Sequence, residues 1–219
     1  VASIYTGVGE NYALSSSAIG GLVGCSYGEI TNCHSSVNVY GNGNTGSLCG
    51  QAWNYEDTML IVSNCSASGT VSGRQGCGGL IGEVRGVNIY NCYATGNVTI
   101  TNGGESVWYR GGLIGNFMNA SAYNCYSAGT VTNGSNDYAF YGKVIGYPYQ
   151  NTHIRYIYGQ DTTNEGWGLA GNYEDIADTA QFHHTGSTNS LLTPVTINGV
   201  YYSDLTNALN AWVDANNSD

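Results

Sequence analysis

The segments Gly78-Gly79-Leu80-Ile81-Gly82 and Ile89-Tyr90-Asn91-Cys92 decide the fold, because both recur along the chain. Copies of the first pattern start at residues 20, 46, 78, 111 and 142, so they lie 26, 32, 33 and 31 residues apart. The second pattern recurs around Cys33, Cys65 and Cys125, and a degenerate copy runs from Ile154 to Gly159 with Tyr156 in place of the Cys. A short repeat cannot bury its own apolar face, so this periodicity predicts stacked copies, that is, a solenoid.

The second pattern alternates inward and outward positions with one break in phase. Its first, fourth and tenth positions are apolar, the tenth being Val39, Val71, Val98 and Val131. This alternation predicts short β-strands, and such glycine-rich, β-branched segments are poor helices. The break falls on an Asn, which tolerates left-handed backbone and predicts a corner. Gly69, Gly96 and Gly129 predict a second bend.

We therefore predict an all-β chain folded as a right-handed parallel β-solenoid (β-helix) of about five rungs, its hand following the general chirality of parallel connections. Residues 1–159 would form the solenoid, with the residues through Ser17 supplying part of an opening rung. An interior ladder is expected from Leu22, Leu48, Leu80, Leu113 and Val144. Residues 160–219 would form a C-terminal extension with an amphipathic capping helix near 204–216, because Leu205, Ala208, Leu209, Trp212 and Val213 have helical spacing.

The paired patterns resemble the GLUG repeat of bacterial surface proteins, including adhesin-like proteins and the non-catalytic repeat regions of IgA-peptidase-type proteins. The resemblance covers roughly Gly20 to Gly159, with Ser47 and Lys143 departing from the second Gly. It implies a β-helical cell-surface segment of a longer chain. Activity has to be argued separately, because it depends on a site.

Composition excludes several classes of partner. Of 219 residues only 9% are charged, and 5 Lys+Arg against 15 Asp+Glu give a net charge of −10. Such a charge repels phosphate backbones and anionic membrane surfaces, so nucleic-acid binding is not expected. No apolar stretch approaches the roughly 18 to 20 residues that cross a bilayer. We expect a soluble monomer within a longer chain, without membrane insertion and with any export signal already absent.

Catalytic, metal and cofactor sites are not predicted. Cys33, Cys65, Cys92 and Cys125 form one inward column and should be free thiols, since parallel Cβ vectors oppose disulfide geometry. Whether any of Cys25, Cys49 and Cys77 are bridged stays open. Gly24-Cys25-Ser26-Tyr27-Gly28 matches a nucleophile elbow, but a turn and a strand are expected after it rather than a helix. Asp161 to Gly166 resembles the start of an EF-hand calcium loop, but position twelve is Asn172 and not the bidentate Glu that such a loop needs. The pair His183-His184 could hold a metal with Asp178, but a surface loop is the favoured interpretation.

Aromatic residues are the stronger candidates for binding. Tyr90 and Tyr123 share one outward column, and Tyr93 and Tyr126 share another. Two inserted loops, 51–60 and 102–109, carry Trp53, Tyr55, Trp108 and Tyr109. Such rings bind sugars or proteins, or merely stiffen the sheet by packing between rungs.

The sequence thus favours a non-catalytic structural or adhesion module at the extracellular surface of a bacterium, with a host or bacterial surface protein or a glycan as partner. The alternative is a carbohydrate-active enzyme or a carbohydrate-binding module on a β-helix. Against the enzyme, the strand columns carry no pair of carboxylates.

Overall fold

The chain folds into short strands that recur in the same order. The computed structural model describes residues 3–5, 18–55, 60–100, 109–132, 140–149, 152–159 and 190–204, together with Asn207 and Ala211. The first strands are β1 (Ser3–Tyr5), β2 (Ile19–Gly20), β3 (Val23–Ser26), β4 (Ile30–Thr31), β5 (His34–Ser35), β6 (Asn38–Tyr40), β7 (Thr45–Gly46), β8 (Cys49–Trp53), β9 (Leu60–Ser63), β10 (Ser66–Ala67), β11 (Val71–Gly73) and β12 (Cys77–Gly78). The others are β13 (Ile81–Arg85), β14 (Val87–Tyr90), β15 (Tyr93–Ala94), β16 (Val98–Ile100), β17 (Tyr109–Gly111), β18 (Ile114–Met118), β19 (Ser121–Ser127), β20 (Phe140–Gly142), β21 (Ile145–Tyr149), β22 (His153–Gly159), β23 (Ser190–Ile197) and β24 (Val200–Asp204).

Equivalent strands from successive repeats pair side by side. Sheet A has the order β1-β6-β11-β16, sheet B the order β2-β7-β12-β17-β20, and sheet C the order β3-β8-β13-β18-β21. Sheet D joins β4, β9, β14 and β19 to β5, β10 and β15, because β19 is long enough to pair with both sets; β22 also pairs with β19. All pairs in these four sheets are parallel, as in a β-solenoid. We call one passage of the chain through the sheets a coil. The predicted all-β architecture of stacked parallel strands is confirmed.

Like side chains form columns inside the stack. The amide of Leu48 donates to the carbonyl of Leu80 at 3.0 Å, and Leu80 donates to Leu113 at 2.9 Å. Leu48, Leu80 and Leu113 are fully buried and Val144 nearly so. Leu22 was expected in the same ladder, but its side chain is 56% exposed. It lies in the first coil of the column, at the end of the stack, where it packs against a following coil on one side only.

The Asn corners are confirmed. Asn32, Asn64, Asn91 and Asn124 have φ values of 54°, 54°, 52° and 55°, in the left-handed region. The four residues that precede each corner by two positions are buried: Ile30, Val62, Ile89 and Ala122. The corner therefore turns the chain after one inward side chain and lets the following Cys point inward as well.

The second bend also occurs at Gly69, Gly96 and Gly129, but its glycines are needed for another reason than φ. A Cβ atom added to Gly96 would lie 2.0 Å from the carbonyl oxygen of Gly69, and one added to Gly129 would lie 1.9 Å from that of Gly96. Glycine is required because the backbone of the preceding coil approaches this closely.

The two ends of the chain differ from expectation in several details. Strand β1 pairs with β6 and thus adds to the stack, as predicted for the opening residues. In the degenerate fifth copy the residue aligned with Cys125 is Ile157, so the assignment of Tyr156 to that place was wrong. Residues 190–204 form an antiparallel hairpin, β23–β24, that the sequence analysis did not predict. Of the predicted capping helix near 204–216, all but Asp204, Asn207 and Ala211 lie outside the described residues.

Candidate functional site

The two predicted tyrosine columns flank the Asn corner. The rings of Tyr90 and Tyr123 stack at 5.4 Å between centroids and 10° between planes, and those of Tyr93 and Tyr126 at 5.1 Å and 8°. Burial is the main cause that raises the pKa of Tyr90 and of Tyr126. Because nearly parallel rings cover each other's faces, these columns pack between coils and offer mainly ring edges to a ligand. Binding by these four tyrosines stays a prediction.

A first aromatic cluster lies at the end of sheet C nearer the N-terminus. It consists of Tyr27, Trp53 and Tyr55, with the guanidinium of Arg85 lying 5.5 Å from the ring centroid of Tyr55. Trp53 meets Tyr55 edge to face, with centroids 5.8 Å apart and planes at 82°. The expected loop of residues 51–60 begins later than predicted, since strand β8 continues through Trp53. Tyr27 and Tyr55 are 63% and 64% exposed, so this cluster presents aromatic surface to solvent.

A second aromatic cluster lies at the other end of the same sheet and consists of Tyr109, Tyr147 and Tyr149. Tyr147 stacks on Tyr109 at 4.6 Å and on Tyr149 at 5.7 Å. Burial first, and then the neighbouring Tyr147 and Glu83, raise the pKa of Tyr109. Tyr109 is the first residue of β17 rather than a loop residue, and Trp108, predicted with it, lies outside the described residues.

Between the clusters runs a row of polar side chains that the sequence analysis missed. We call Gln51, Glu83 and Asn116 the polar row; they are adjacent in register, and each is 8% exposed. The amides of Asn44 and Gln51 both donate to Oε2 of Glu83, the latter at 3.3 Å. Burial is the largest cause acting on Glu83 and raises its pKa, whereas both amides and Arg85 act to lower it. The sequence contains a signal for this row. The position five residues after the start of each of the last four copies of the first pattern is occupied by Gln51, Glu83, Asn116 and Tyr147.

The cysteines are all free thiols, as predicted for the inward column. Cys65, Cys92 and Cys125 each donate from Sγ to the carbonyl two residues earlier at 3.1 Å, and each also reaches a carbonyl of the preceding coil. Burial raises the pKa of Cys49 and of Cys77 to about 12. Thiols with these properties behave as small apolar side chains.

Other candidate sites lack the required surroundings. Ser26 ends strand β3, and its hydroxyl donates to the carbonyl of Gly28 at 3.0 Å, so no helix follows it as a nucleophile elbow would need. Among the residues that the structure describes, no three His, Cys, Asp or Glu side chains are grouped to hold a metal ion. In the same part of the chain no helix is long and apolar enough to span a membrane. Residues 161–166 and the pair His183-His184 lie outside it.

Comparison with known proteins supports the repeat. No curated protein and no solved structure shows significant similarity to the chain. The family model of the GLUG motif matches residues 15–40 and 41–72. These two matches span consecutive coils, and the same register continues through β22. The chain therefore contains GLUG repeats.

Proposed function

We propose that this chain is a non-catalytic structural and adhesion module at the surface of a bacterium. In its full form the module is a right-handed β-solenoid of about five rungs with a C-terminal helical cap, and it acts as a monomeric segment of a longer extracellular chain. The resemblance to GLUG repeats of bacterial surface proteins supports this location. The proposed module neither binds nucleic acid nor inserts into a membrane.

One observation carries the binding part of the proposal. Two clusters of partly exposed aromatic rings lie at opposite ends of sheet C, one at Tyr27, Trp53 and Tyr55 and the other at Tyr147 and Tyr149 together with Tyr109 of sheet B. Large rings on a rigid scaffold bind partners well because few torsions have to be frozen on binding. A host or bacterial surface protein or a glycan would be held there.

The test is adhesion of the whole chain. Beads coated with the protein should bind host or bacterial cells and glycan arrays, and the double variant Trp53→Ala, Tyr55→Ala should lose most of this binding. The variant Tyr201→Ala, which changes an exposed ring in the hairpin β23–β24, serves as the control. Equal retention by all three proteins would refute the proposed binding surface.

A carbohydrate-active enzyme is the second candidate, and Glu83 is the observation that favours it. Its buried carboxyl has a raised pKa, which is typical of a general acid. However, glycoside hydrolysis commonly needs two carboxylates, and Glu29 and Glu83 are the only Asp or Glu residues in the described coils. Release of reducing ends from polysaccharides that is abolished in Glu83→Gln would favour this candidate over the adhesion module.

A further inference from the structure

The outer face of sheet C has two neighbouring columns set by strand register. Glu83 pairs with Gln51 and Asn116, and Arg85 pairs with Trp53 and Met118. The residues between these columns, Ala52, Val84 and Phe117, are buried and point to the other side of the sheet. Because side chains alternate across a strand, both columns lie on the same outward side. The polar row thus continues into Tyr147 of the second aromatic cluster at one end and into Cys25 at the other, and the second column, which contains Trp53 of the first cluster, runs beside it.

The polar row offers hydrogen-bond acceptors. Both amide donors to Glu83 reach Oε2. The Oδ1 atom of Asn116 is buried and has no hydrogen-bond partner among the described residues. A buried acceptor without a donor is energetically unfavourable, so a ligand that donates a hydrogen bond to this atom would gain binding affinity. Because the Oδ1 atom has almost no exposed surface, a ligand hydroxyl group would reach it only with an outward turn of the Asn116 side chain.

The aromatic clusters offer apolar ring surface beside these acceptors. Tyr55 is 64% exposed in the first cluster, and Tyr149 is 38% exposed in the second. Three strand spacings separate the registers of Trp53 and Tyr149, which is about 14 Å at the usual distance between strands. A ligand that contacts both clusters and the polar row must therefore be an extended molecule with apolar faces and hydrogen-bond donors, as an oligosaccharide is.

We propose that the outer face of sheet C binds an uncharged oligosaccharide, whose hydroxyl groups donate to Glu83 and Asn116 and whose sugar rings pack against the two aromatic clusters. This inference rests on the proposed function and specifies its ligand. An acidic saccharide is disfavoured because it would bring negative charge to Glu83 in a chain of net charge −10. Arg85, exposed beside Tyr55, supplies a donor to sugar oxygens.

A thiol on the same face gives a direct readout of binding there. Cys25 pairs in register with Gln51 and is half-buried, whereas Cys33 is half-buried at the corner between β4 and β5 of sheet D. The other five cysteines are buried. A ligand on sheet C should therefore protect Cys25 from alkylation and leave the rate at Cys33 unchanged.

The experiment uses the whole chain with cellotetraose, maltotetraose, xylotetraose and mannotetraose, and with tetragalacturonate as the charged comparator. Calorimetry should detect at least one uncharged tetrasaccharide, and that sugar should slow alkylation of Cys25 only. Asn116→Ala and Trp53→Ala should each weaken its affinity about tenfold, the loss expected for one hydrogen bond or one stacking contact. Trp53→Phe should recover part of the loss, and Tyr201→Ala, which changes an exposed ring in the hairpin β23–β24, should bind as the parent does.

Each other outcome overturns the inference. Failure of all four uncharged sugars at millimolar concentration, a preference for tetragalacturonate, or unchanged affinity in both Asn116→Ala and Trp53→Ala would each do so. Thermal unfolding of every variant separates loss of binding from loss of folding; Asn116→Ala should fold normally, since its oxygen gives up no partner among the described residues. If cells still adhere to the protein while no sugar binds, the ligand is a protein, and the adhesion module stands without this inference.

Discussion

Asn124 donates a hydrogen bond from Nδ2 to Oδ1 of Asn91 at 3.1 Å, across the gap between two successive coils. Asn91 makes the same bond to Asn64 at 3.2 Å. All three residues hold the left-handed backbone of a corner. Each therefore has two roles, because it turns its own strand and fixes the distance to the coil before it.

These two roles can be separated at Asn91. Asn91→Ala should lower the free energy of unfolding by about 1 to 3 kcal/mol, because it loses both ladder bonds and places a Cβ-bearing residue without local hydrogen bonds in the left-handed region. Asn91→Gly loses the same hydrogen bonds, but glycine adopts a positive φ without strain, so this variant should lose less free energy of unfolding than Asn91→Ala. Urea unfolding measures both, and an alanine variant as stable as the glycine variant would show that the corner is not under conformational constraint.

The close approach of neighbouring coils should make Gly96 intolerant of any side chain. Gly96→Ala should cost about 3 kcal/mol or more, or prevent folding, since the added methyl group would lie 2.0 Å from a backbone oxygen that cannot rotate away. Gly28→Ala is the matched control, because a Cβ there meets nothing within 4 Å. Solubility and thermal unfolding provide the comparison; similar behaviour of the two variants would contradict the packing described for this column.

Burial should separate two leucines at equivalent positions of the repeat. Leu80→Ala should cost about 2 to 5 kcal/mol, as for other fully buried leucines. Leu22→Ala should change stability by less than about 1 kcal/mol, because that side chain is 56% exposed. Equal losses, measured by denaturant unfolding, would place Leu22 in the core after all.

Thiol reactivity should follow position in the stack. At neutral pH, Cys25 and Cys33 should react with a thiol reagent in the folded protein, and the five buried thiols should react only after unfolding. For Cys49 and Cys77 this should hold into alkaline solution, since burial raises their pKa to about 12 and the thiolate is the reactive form. Mass spectrometry of the alkylated peptides shows which cysteines react before unfolding. Labelling of Cys77 in the folded protein would be inconsistent with its burial inside the solenoid.

Glu83 should make stability depend on pH. Because burial raises its pKa in the folded state, the folded protein binds this proton more tightly than the unfolded chain does. The resulting stabilisation is present below the ordinary value of 4.5 and is lost as pH rises through the raised value. Glu83→Gln should therefore gain stability relative to the parent between acidic and neutral pH. Urea unfolding of the parent and of Glu83→Gln across this pH range measures the difference, and parallel profiles of the two proteins would contradict the burial described for Glu83.

Much of the fold could be predicted from local patterns that repeat. The Asn corners and the Val and Cys columns follow from residue type and spacing, because a left-handed corner and an inward position each restrict the side chain strongly. The length of β8 could not be predicted, since Trp53 sits where the repeat length varies. The hairpin β23–β24 was not predicted, although its turn, Asn198-Gly199, is typical of such hairpins and both residues have positive φ.

The candidate site was harder to predict than the fold. The stacking of Tyr90 on Tyr123 followed from the internal alignment, but the meeting of Tyr109 with Tyr147 depends on how sheet B sits beside sheet C. Glu83 was overlooked because one acidic residue in one copy of a repeat resembles ordinary variation. What distinguishes Glu83 is its burial and the hydrogen bond from the amide of Asn44, which lies in another coil.

The contact of Gly96 with the backbone of the preceding coil has an evolutionary consequence. A repeat can be gained or lost by duplication or deletion only as a whole unit, because a partial unit would bring a side chain against that backbone. Repeat length already varies within residues 51–60 and 102–109, and the strands that follow keep the register of the neighbouring units. The recognition surface can thus change during evolution while the stack of coils stays the same.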